Sequence, residues 1–434
     1  MMSTEAVPHG LVADPQASRT MWKSVVLISI GGVFSFYELF STPYVIPGLT
    51  RAGILTSTSV GFFGLNGIAS YIGATFAGMF VGALLLGFIS DRIGRRAVFT
   101  YSLLWYALCA AMTAAQSDTR GLIIWRFLTG IGLAVELVTA DAYLGEVVTK
   151  AVRGRAFALN QFICYLAVPT VAFFAWLVVP TAPLGLDGWR WVMLGGAFSA
   201  IPIWAIRRGL PESPRWLADR AGQVKPPGSS PERGGFAELW SRKLIVRTIM
   251  LVIFNATQAI GIYGFSNWVP TFLIKNGITL TTSLYYSLGI ACVFPLGPLL
   301  SLIFADRIER KWQIVGSAAV IAVAGLCFAA ARDGVLVVLC GSIVTIFSTI
   351  LGQAFHAYQA ELYPTRIRAL AIGFVYAISR VSGVFSGFIV ASALETGGVT
   401  GALTVIASSM LVLMVAIGAL GPSTKGRALE EIAA

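Results

Sequence analysis

The chain has 434 residues, of which 56% are hydrophobic and only 12% charged, and its mean hydropathy is +0.79. A soluble domain carries about a quarter charged residues, so this composition excludes a water-soluble protein. The formal net charge of +11 would suit a nucleic-acid binder, but the placement of the charges described below excludes that partner.

Residues 1–23 lack the apolar core of a cleaved signal peptide and are expected to form a short tail. Apolar runs of about 20 residues, each long enough to span a bilayer, follow at roughly 24–48, 68–90, 97–116, 121–145, 156–179, 190–207, 247–270, 281–304, 312–331, 335–358, 368–393 and 401–420. They divide the chain into a first six-helix half (24–207), a hydrophilic linker (208–246), a second half (247–420) and a tail (421–434). The linker contains Pro226-Pro227-Gly228-Ser229-Ser230-Pro231, a composition that reads as a flexible tether. Of 31 Lys and Arg, 24 fall on the side of the N-terminus, five on the opposite side, and two, Arg126 and Arg380, inside spans. That asymmetry puts both termini in the cytoplasm and makes the basic charge a matter of topology. The Asn255-Ala256-Thr257 triplet, the sole glycosylation pattern, falls inside a span, which favours a bacterial inner membrane. The 46 glycines suit close helix approach in lipid. Cys109, Cys164, Cys292, Cys327 and Cys340 have no ligand spacing and read as buried, inert thiols, so no metal or other cofactor is expected.

Two charged motifs repeat at one offset. Asp91-Arg92-Ile93 recurs 215 residues later as Asp306-Arg307-Ile308, and Tyr143, Glu146 and Arg153 recur as Tyr358, Glu361 and Arg368. A shared offset means duplicated, parallel halves. Gly87-Phe88-Ile89-Ser90-Asp91-Arg92-Ile93-Gly94-Arg95-Arg96 resembles the signature loop of the major facilitator superfamily, and Arg126-Phe127-Leu128-Thr129-Gly130-Ile131-Gly132 resembles its fourth-helix motif. Pro211-Glu212-Ser213-Pro214-Arg215-Trp216-Leu217 and Glu361-Leu362-Tyr363-Pro364-Thr365-Arg366-Ile367-Arg368 are similar to runs in its sugar porters and organic-ion transporters. Tyr263-Gly264-Phe265-Ser266-Asn267-Trp268-Val269-Pro270 resembles the seventh helix of metabolite:proton and aromatic-acid:proton symporters. Sugar porters instead carry paired glutamines there and a tryptophan late in helix ten; this chain has Thr257-Gln258 and His356-Ala357-Tyr358, which argues against a hexose. The resemblance implies an all-α polytopic fold of twelve transmembrane helices in two parallel pseudo-symmetric halves, working as a monomer.

An ionisable side chain at span depth is costly unless paired or hydrated, so each one is a candidate for function. Glu38 lies about 15 residues, or ~22 Å, into the first span, and Arg126 about six residues, or ~9 Å, from the opposite end of the fourth. Both therefore reach similar depths. Proton-coupled sugar porters carry a helix-one acid beside this arginine, so the resemblance implies that Glu38 carries a proton and Arg126 is its partner; a static buried ion pair is the other reading. Arg380 lies about 12 residues, or ~18 Å, into the eleventh span with no acid at like depth in its half. A guanidinium there suits a substrate carboxylate, bound bidentately, a use the resembling organic-anion transporters also make of it. The alternative is a structural arginine bonded to backbone carbonyls or to Glu38.

Glu136 and Asp141 lie further toward the cytoplasm on the fourth span and suit either a gate or a helix-end salt bridge. Asp91, Arg92, Arg95, Glu146, Arg153, Asp306, Arg307, Arg310, Glu361 and Arg368 cluster in the cytoplasmic loops and helix ends, where the resemblance implies an inside gate. Tyr37, Tyr165, Phe254, Asn255, Gln258, Tyr263, Trp268, Phe355 and Tyr376 form a candidate aromatic, sparsely polar binding wall; Asn255 and Gln258, three apart, share a helix face. The expected function is proton-coupled uptake of a small organic acid, plausibly an aromatic or heterocyclic monocarboxylate. Proton-driven export of drugs or metabolites uses the same fold, and a membrane sensor that binds without transporting is a third reading. No enzyme is expected, and no glycine loop with Lys and Ser/Thr suggests an ATP-driven pump.

Overall fold

The structure, a computed structural model, describes residues 15–56, 67–86, 89–149, 152–207, 210–213, 216–217, 220, 235–304, 307–364 and 367–424. These residues are overwhelmingly helical, with a single isolated bridge between Thr56 and Gly67 in place of any sheet. In chain order the α-helices are α1 (Pro15–Arg51), α2 (Ile68–Leu86), α3 (Ile89–Ile93), α4 (Arg95–Ala114), α5 (Thr119–Val147), α6 (Arg153–Tyr165), α7 (Ala167–Val178) and α8 (Gly188–Arg207), followed by α9 (Ile245–Ser266), α10 (Val269–Lys275), α11 (Leu280–Ala291), α12 (Leu296–Phe304), α13 (Arg310–Ala330), α14 (Gly334–Glu361) and α15 (Arg368–Leu420).

Among the described residues, nine helical stretches are long and apolar enough to cross a membrane. The pairs α6/α7 and α11/α12 each count there as one interrupted crossing. Two expected spans, the eleventh and twelfth, emerge as the single 53-residue helix α15, broken internally at Gly398, whose φ of 62° is open to glycine and strained for most other residues. With α2, α8 and that break included, the helices account for each of the twelve apolar runs. Apolar side chains such as Tyr101, Leu108, Ile124, Phe198 and Val323 stand exposed around the bundle, as a lipid-facing surface requires. Cys292 and Cys327 are also exposed, correcting the expectation that all five thiols are buried; in apolar helices such positions face outward.

The helix ends carry local signals. The Asp118 carboxylate accepts from the Gly121 N–H at 2.8 Å, and Asp333 accepts from Val335 and Leu336 at 3.0 and 3.1 Å. Both caps start helices at the far end of the bundle, opposite the motif loops. The helices up to α8 meet those from α9 onward, among other contacts, through α7 with α11, α6 with α12, α1 with α10 and α2 with α15. In the last contact the halves interlock reciprocally. A Cβ on Gly383 would lie 2.7 Å from the Phe76 ring, and one on Gly73 3.2 Å from the Phe388 ring. Gly383→Trp is expected to part α2 from α15 and raise the thiol-labelling rate of an Ile72→Cys probe several-fold, since Ile72 is buried; an unchanged rate would show that the interface absorbs the ring.

Candidate functional site

The first buried charge pair joins α1 to α5. Arg126 reaches Glu38 Oε2 at 3.4 Å, with both side chains at most 1% exposed. The arginine does not depend on that carboxylate alone. Its Nε donates to Thr75 at 3.0 Å, its Nη2 donates to the Glu38 main-chain carbonyl at 3.0 Å and to Thr42, and it lies over the Tyr71 ring. Thr75 is in reach because α2 and α5 touch backbone to backbone: a Cβ on Gly130 would lie 3.1 Å from the Gly78 Cα, and the converse holds. Glu38 Oε1, by contrast, is buried without a hydrogen-bond partner. The carboxylate is held loosely while the guanidinium is held firmly.

A second pair was not legible as such in the sequence. Arg207, at the end of α8, is buried and pairs with Glu136 on α5 at 2.5 Å, each side chain 2% exposed. Glu136 also accepts from Ser35 at 2.8 Å and Ser102 at 3.3 Å, and Arg207 donates to the Phe99 carbonyl at 3.2 Å. Four helices, α1, α4, α5 and α8, meet at this pair. Glu136 is in a salt bridge, but a buried one in the helix interior and not at the helix end that was expected. The partner Arg207 was missed, although Glu136, a mid-helix acid, needed a cation.

Between the halves lies a cavity of about 770 Å³, counting its open mouth. Its wall includes Phe40, Gln161, Tyr165, Gln258, Tyr263, Phe355, His356 and Tyr376. Phe40, Tyr165 and Phe294 meet edge to face or tilted, with centroids 5.3–6.0 Å apart, as one aromatic side of it. His356 faces Tyr376, ring centroids 5.9 Å apart, and its Nδ1 is 3.3 Å from Gln359 Nε2. Arg380 sits behind Tyr376. It donates to the Tyr376 hydroxyl at 2.8 Å, touches Met79 Sδ at 3.9 Å, and makes no ion pair with a carboxylate among the described residues. A smaller cavity lined by Phe40, Tyr263, Thr42 and Thr75 joins this wall to the residues that hold Arg126.

Four nominated wall residues lie elsewhere. Tyr37 is buried with its hydroxyl donating to the Val192 carbonyl at 3.0 Å, Asn255 is buried and donates to the Leu251 carbonyl at 2.9 Å, and Trp268 is buried and stacks on Phe272. Phe254 is buried and stacks on Phe355 at 3.5 Å. All four are packed inside the helix bundle and not on the cavity.

At the motif end, Arg95 pairs with Glu146 at 3.0 Å, and Ser213 donates to the same carboxylate at 2.5 Å. Glu212 accepts from the backbone N–H of Arg95 at 2.9 Å and of Arg96 at 3.3 Å, capping α4 just after Gly94, whose φ is 96°. The Pro-Glu-Ser run is thus a clasp on the first half. In the second half, Arg310 pairs with Glu361 and Arg368 donates to the Tyr363 carbonyl at 3.1 Å. The duplication is preserved in atomic detail: Tyr143 donates to the Pro211 carbonyl at 3.0 Å and Tyr358 to the Pro422 carbonyl at 2.8 Å. Arg92 and Arg307 are exposed, and so is Asp141 further up α5. Asp306 and the side chains of Asp91 and Arg153 lie outside the described residues.

Apolar helices packed around an internal cavity are the architecture of membrane transporters. The chain belongs to the Major Facilitator Superfamily, whose profile matches residues 28–385. A putative metabolite transport protein of Bacillus subtilis, YyaJ, is 30% identical over 437 residues, covering 94% of each chain. The niacin transporter NiaP of Acinetobacter baylyi is 25% identical over 429 residues, covering 94% of this chain and 95% of that protein. The inward-open xylose transporter XylE from E. coli superposes with a TM-score of 0.77 at 18% identity, covering 95% of this chain and 99% of that one. At that identity the likeness to XylE is one of fold.

Proposed function

We propose that this chain takes up a small aromatic or heterocyclic monocarboxylate together with a proton, as a twelve-span monomer in a bacterial inner membrane with its termini and motif loops in the cytoplasm. The observation that carries this reading is Arg380, a buried guanidinium just behind the cavity-wall residue Tyr376, whose neighbours are phenols and a thioether and no carboxylate among the described ion pairs. A carboxylate in the cavity would complete its hydrogen bonding through charge-assisted contacts, and the aromatic side formed by Phe40, Tyr165 and Phe294 suits a flat ring. A relative is a niacin transporter, and niacin is a pyridine carboxylate.

The inside-negative potential opposes entry of an anion by ~2.3 kcal/mol per 100 mV. One proton on Glu38 removes that opposition. Arg126 keeps Thr75, Thr42 and the Glu38 carbonyl when the carboxylate is protonated, so neutralisation does not strand a buried cation. The small cavity beside Thr42 and Thr75 gives the two sites a shared wall through which occupancy of one reaches the other.

The test is uptake of radiolabelled nicotinate, benzoate and 4-hydroxybenzoate into proteoliposomes, with and without an inward proton gradient. Gradient-stimulated uptake is expected for at least one acid. Arg380→Ala and Arg380→Lys should weaken its binding about 10- to 100-fold, the value of one charged hydrogen-bonding partner, and nicotinamide should bind without that sensitivity. Uptake of none of the acids, or unchanged affinity in a folded Arg380→Ala, would move the assignment to an exporter or to a neutral cargo.

A further inference from the structure

One side of α14 is turned toward the cavity: Thr349, then Gly352 with Gln353, then His356 recur at helical spacing, and all of them line it. His356 is enclosed by helices of both halves, yet it is exposed, and the open space it meets is the cavity. Gln359, one step further along the same stripe, is buried. Its side chain has a single partner among the described residues, the His356 ring, whose Nδ1 lies 3.3 Å from its Nε2. The Gln359 Oε1 is buried with no hydrogen bond at all. A half-satisfied buried amide is destabilising, and the one contact this amide makes is the one that orients His356.

The charge state of that ring follows from its surroundings. Around it stand the phenols of Tyr165, Tyr263 and Tyr376, with Arg380 behind Tyr376, and no carboxylate lines the cavity among the described residues. An imidazolium would be a second cation there without an anion, which the interior of a membrane bundle disfavours. A neutral imidazole has one donor and one acceptor nitrogen, and the group bonded to one decides the role of the other. With the Gln359 N–H directed at Nδ1, the hydrogen sits on Nε2, which has no protein acceptor among the described residues. The cavity wall thus carries an N–H donor left for a ligand. Its separation from Arg380 is bounded. The His356 and Tyr376 ring centroids are 5.9 Å apart and the Arg380 guanidinium carbon is 4.8 Å from the Tyr376 centroid, so at most about 11 Å separates imidazole from guanidinium. A hydrogen bond at each end takes up ~3 Å, which leaves room for one aromatic ring and not two.

We propose that His356, held in one tautomer by Gln359, donates to a ring nitrogen of the substrate, so that the carrier selects a pyridine-type carboxylate over its carbocyclic counterpart. The inference rests on the reading of Arg380 as the carboxylate site and adds a second point of attachment. That point fixes where the nitrogen must be: away from the carboxylate, as in nicotinate or isonicotinate, and not beside it, as in picolinate. A carbocyclic acid in the same pose leaves the Nε2–H unpaired in the occupied site, and a site built to hydrogen-bond one group rejects the analogue that lacks it.

The experiment measures binding to the full chain in detergent, with radiolabelled nicotinate and, separately, radiolabelled benzoate, each displaced by unlabelled nicotinate, isonicotinate, picolinate and benzoate. Wild type should bind nicotinate and isonicotinate about tenfold or more tighter than picolinate and benzoate, the effect of one hydrogen bond left unmade. In His356→Phe, which keeps a flat ring and removes the donor, the four affinities should converge to within about threefold. His356→Gln, whose amide supplies an N–H, should retain more of the preference than His356→Phe. Gln359→Met, at a position that does not line the cavity, frees the tautomer and should lower the preference at least threefold. Equal binding of the four acids by wild type, or binding of none, overturns the proposal. So does a tenfold preference that survives in either His356→Phe or Gln359→Met. A failed reading of Arg380 shows differently: Arg380→Ala would bind all four acids as tightly as wild type, whereas the ratio of nicotinate to benzoate affinity reports on His356.

Discussion

Glu38→Gln is expected to abolish concentrative uptake while sparing exchange. Under an inward gradient of one pH unit, coupling to a single proton concentrates substrate about tenfold, because each unit is worth 1.36 kcal/mol. The variant should reach only the level on the outside. Glutamine keeps the shape of the side chain and imitates the protonated acid, and Arg126 retains its hydroxyl and carbonyl acceptors. The protein should therefore fold and still exchange labelled for unlabelled acid in preloaded vesicles. Full gradient-driven accumulation by Glu38→Gln would remove the proton from Glu38 and leave the pair as structure.

The other large effect concerns stability. Glu136→Ala leaves Arg207 buried without its anion, and breaking a buried pair from one side costs about 3–5 kcal/mol. Replacing both partners, as Glu136→Leu with Arg207→Met, should recover most of that loss, because apolar residues of similar volume replace such pairs with little net cost. Unfolding in detergent followed by denaturant or heat measures both. A loss under about 1 kcal/mol in the single variant would be the behaviour of a solvated surface pair and would contradict the burial found at Arg207.

The two pairs show where sequence reading succeeds and where it fails. Apolar run length placed each run on a helix of the bundle, and Glu38 meets Arg126 as their residue counts suggested, because rise per residue is fixed in a helix. Depth at a span edge is another matter. Arg207 closes an apolar run, where a side chain either reaches water or turns back into the bundle, and only the Glu136 acceptor decides. The cavity wall was legible in part for a similar reason. Asn255 and Gln258 are three residues apart and so ~60° apart around α9, which is enough for the edge of the cavity to fall between them. Gln258 lines it and Asn255 packs behind. Gln161 and Phe40, both on the wall, carried no signal that set them apart from other residues of their spans.

Among the described residues, both fully buried ion pairs lie within the first six crossings, while Arg380 lies in the last six. At the 215-residue offset of the duplicated motifs, Glu38 corresponds to Ile253, Arg126 to Gly341 and Arg380 to Tyr165. These three charged positions are unmatched between the two halves, whereas Tyr143 and Tyr358 make matching clasps. On the proposed reading, one copy kept the energy source and the other acquired the cargo. Mutations that retune what is carried can then accumulate in the second copy without disturbing how transport is driven, so lineages sharing this arrangement are free to exchange one nutrient for another by drift in half a gene.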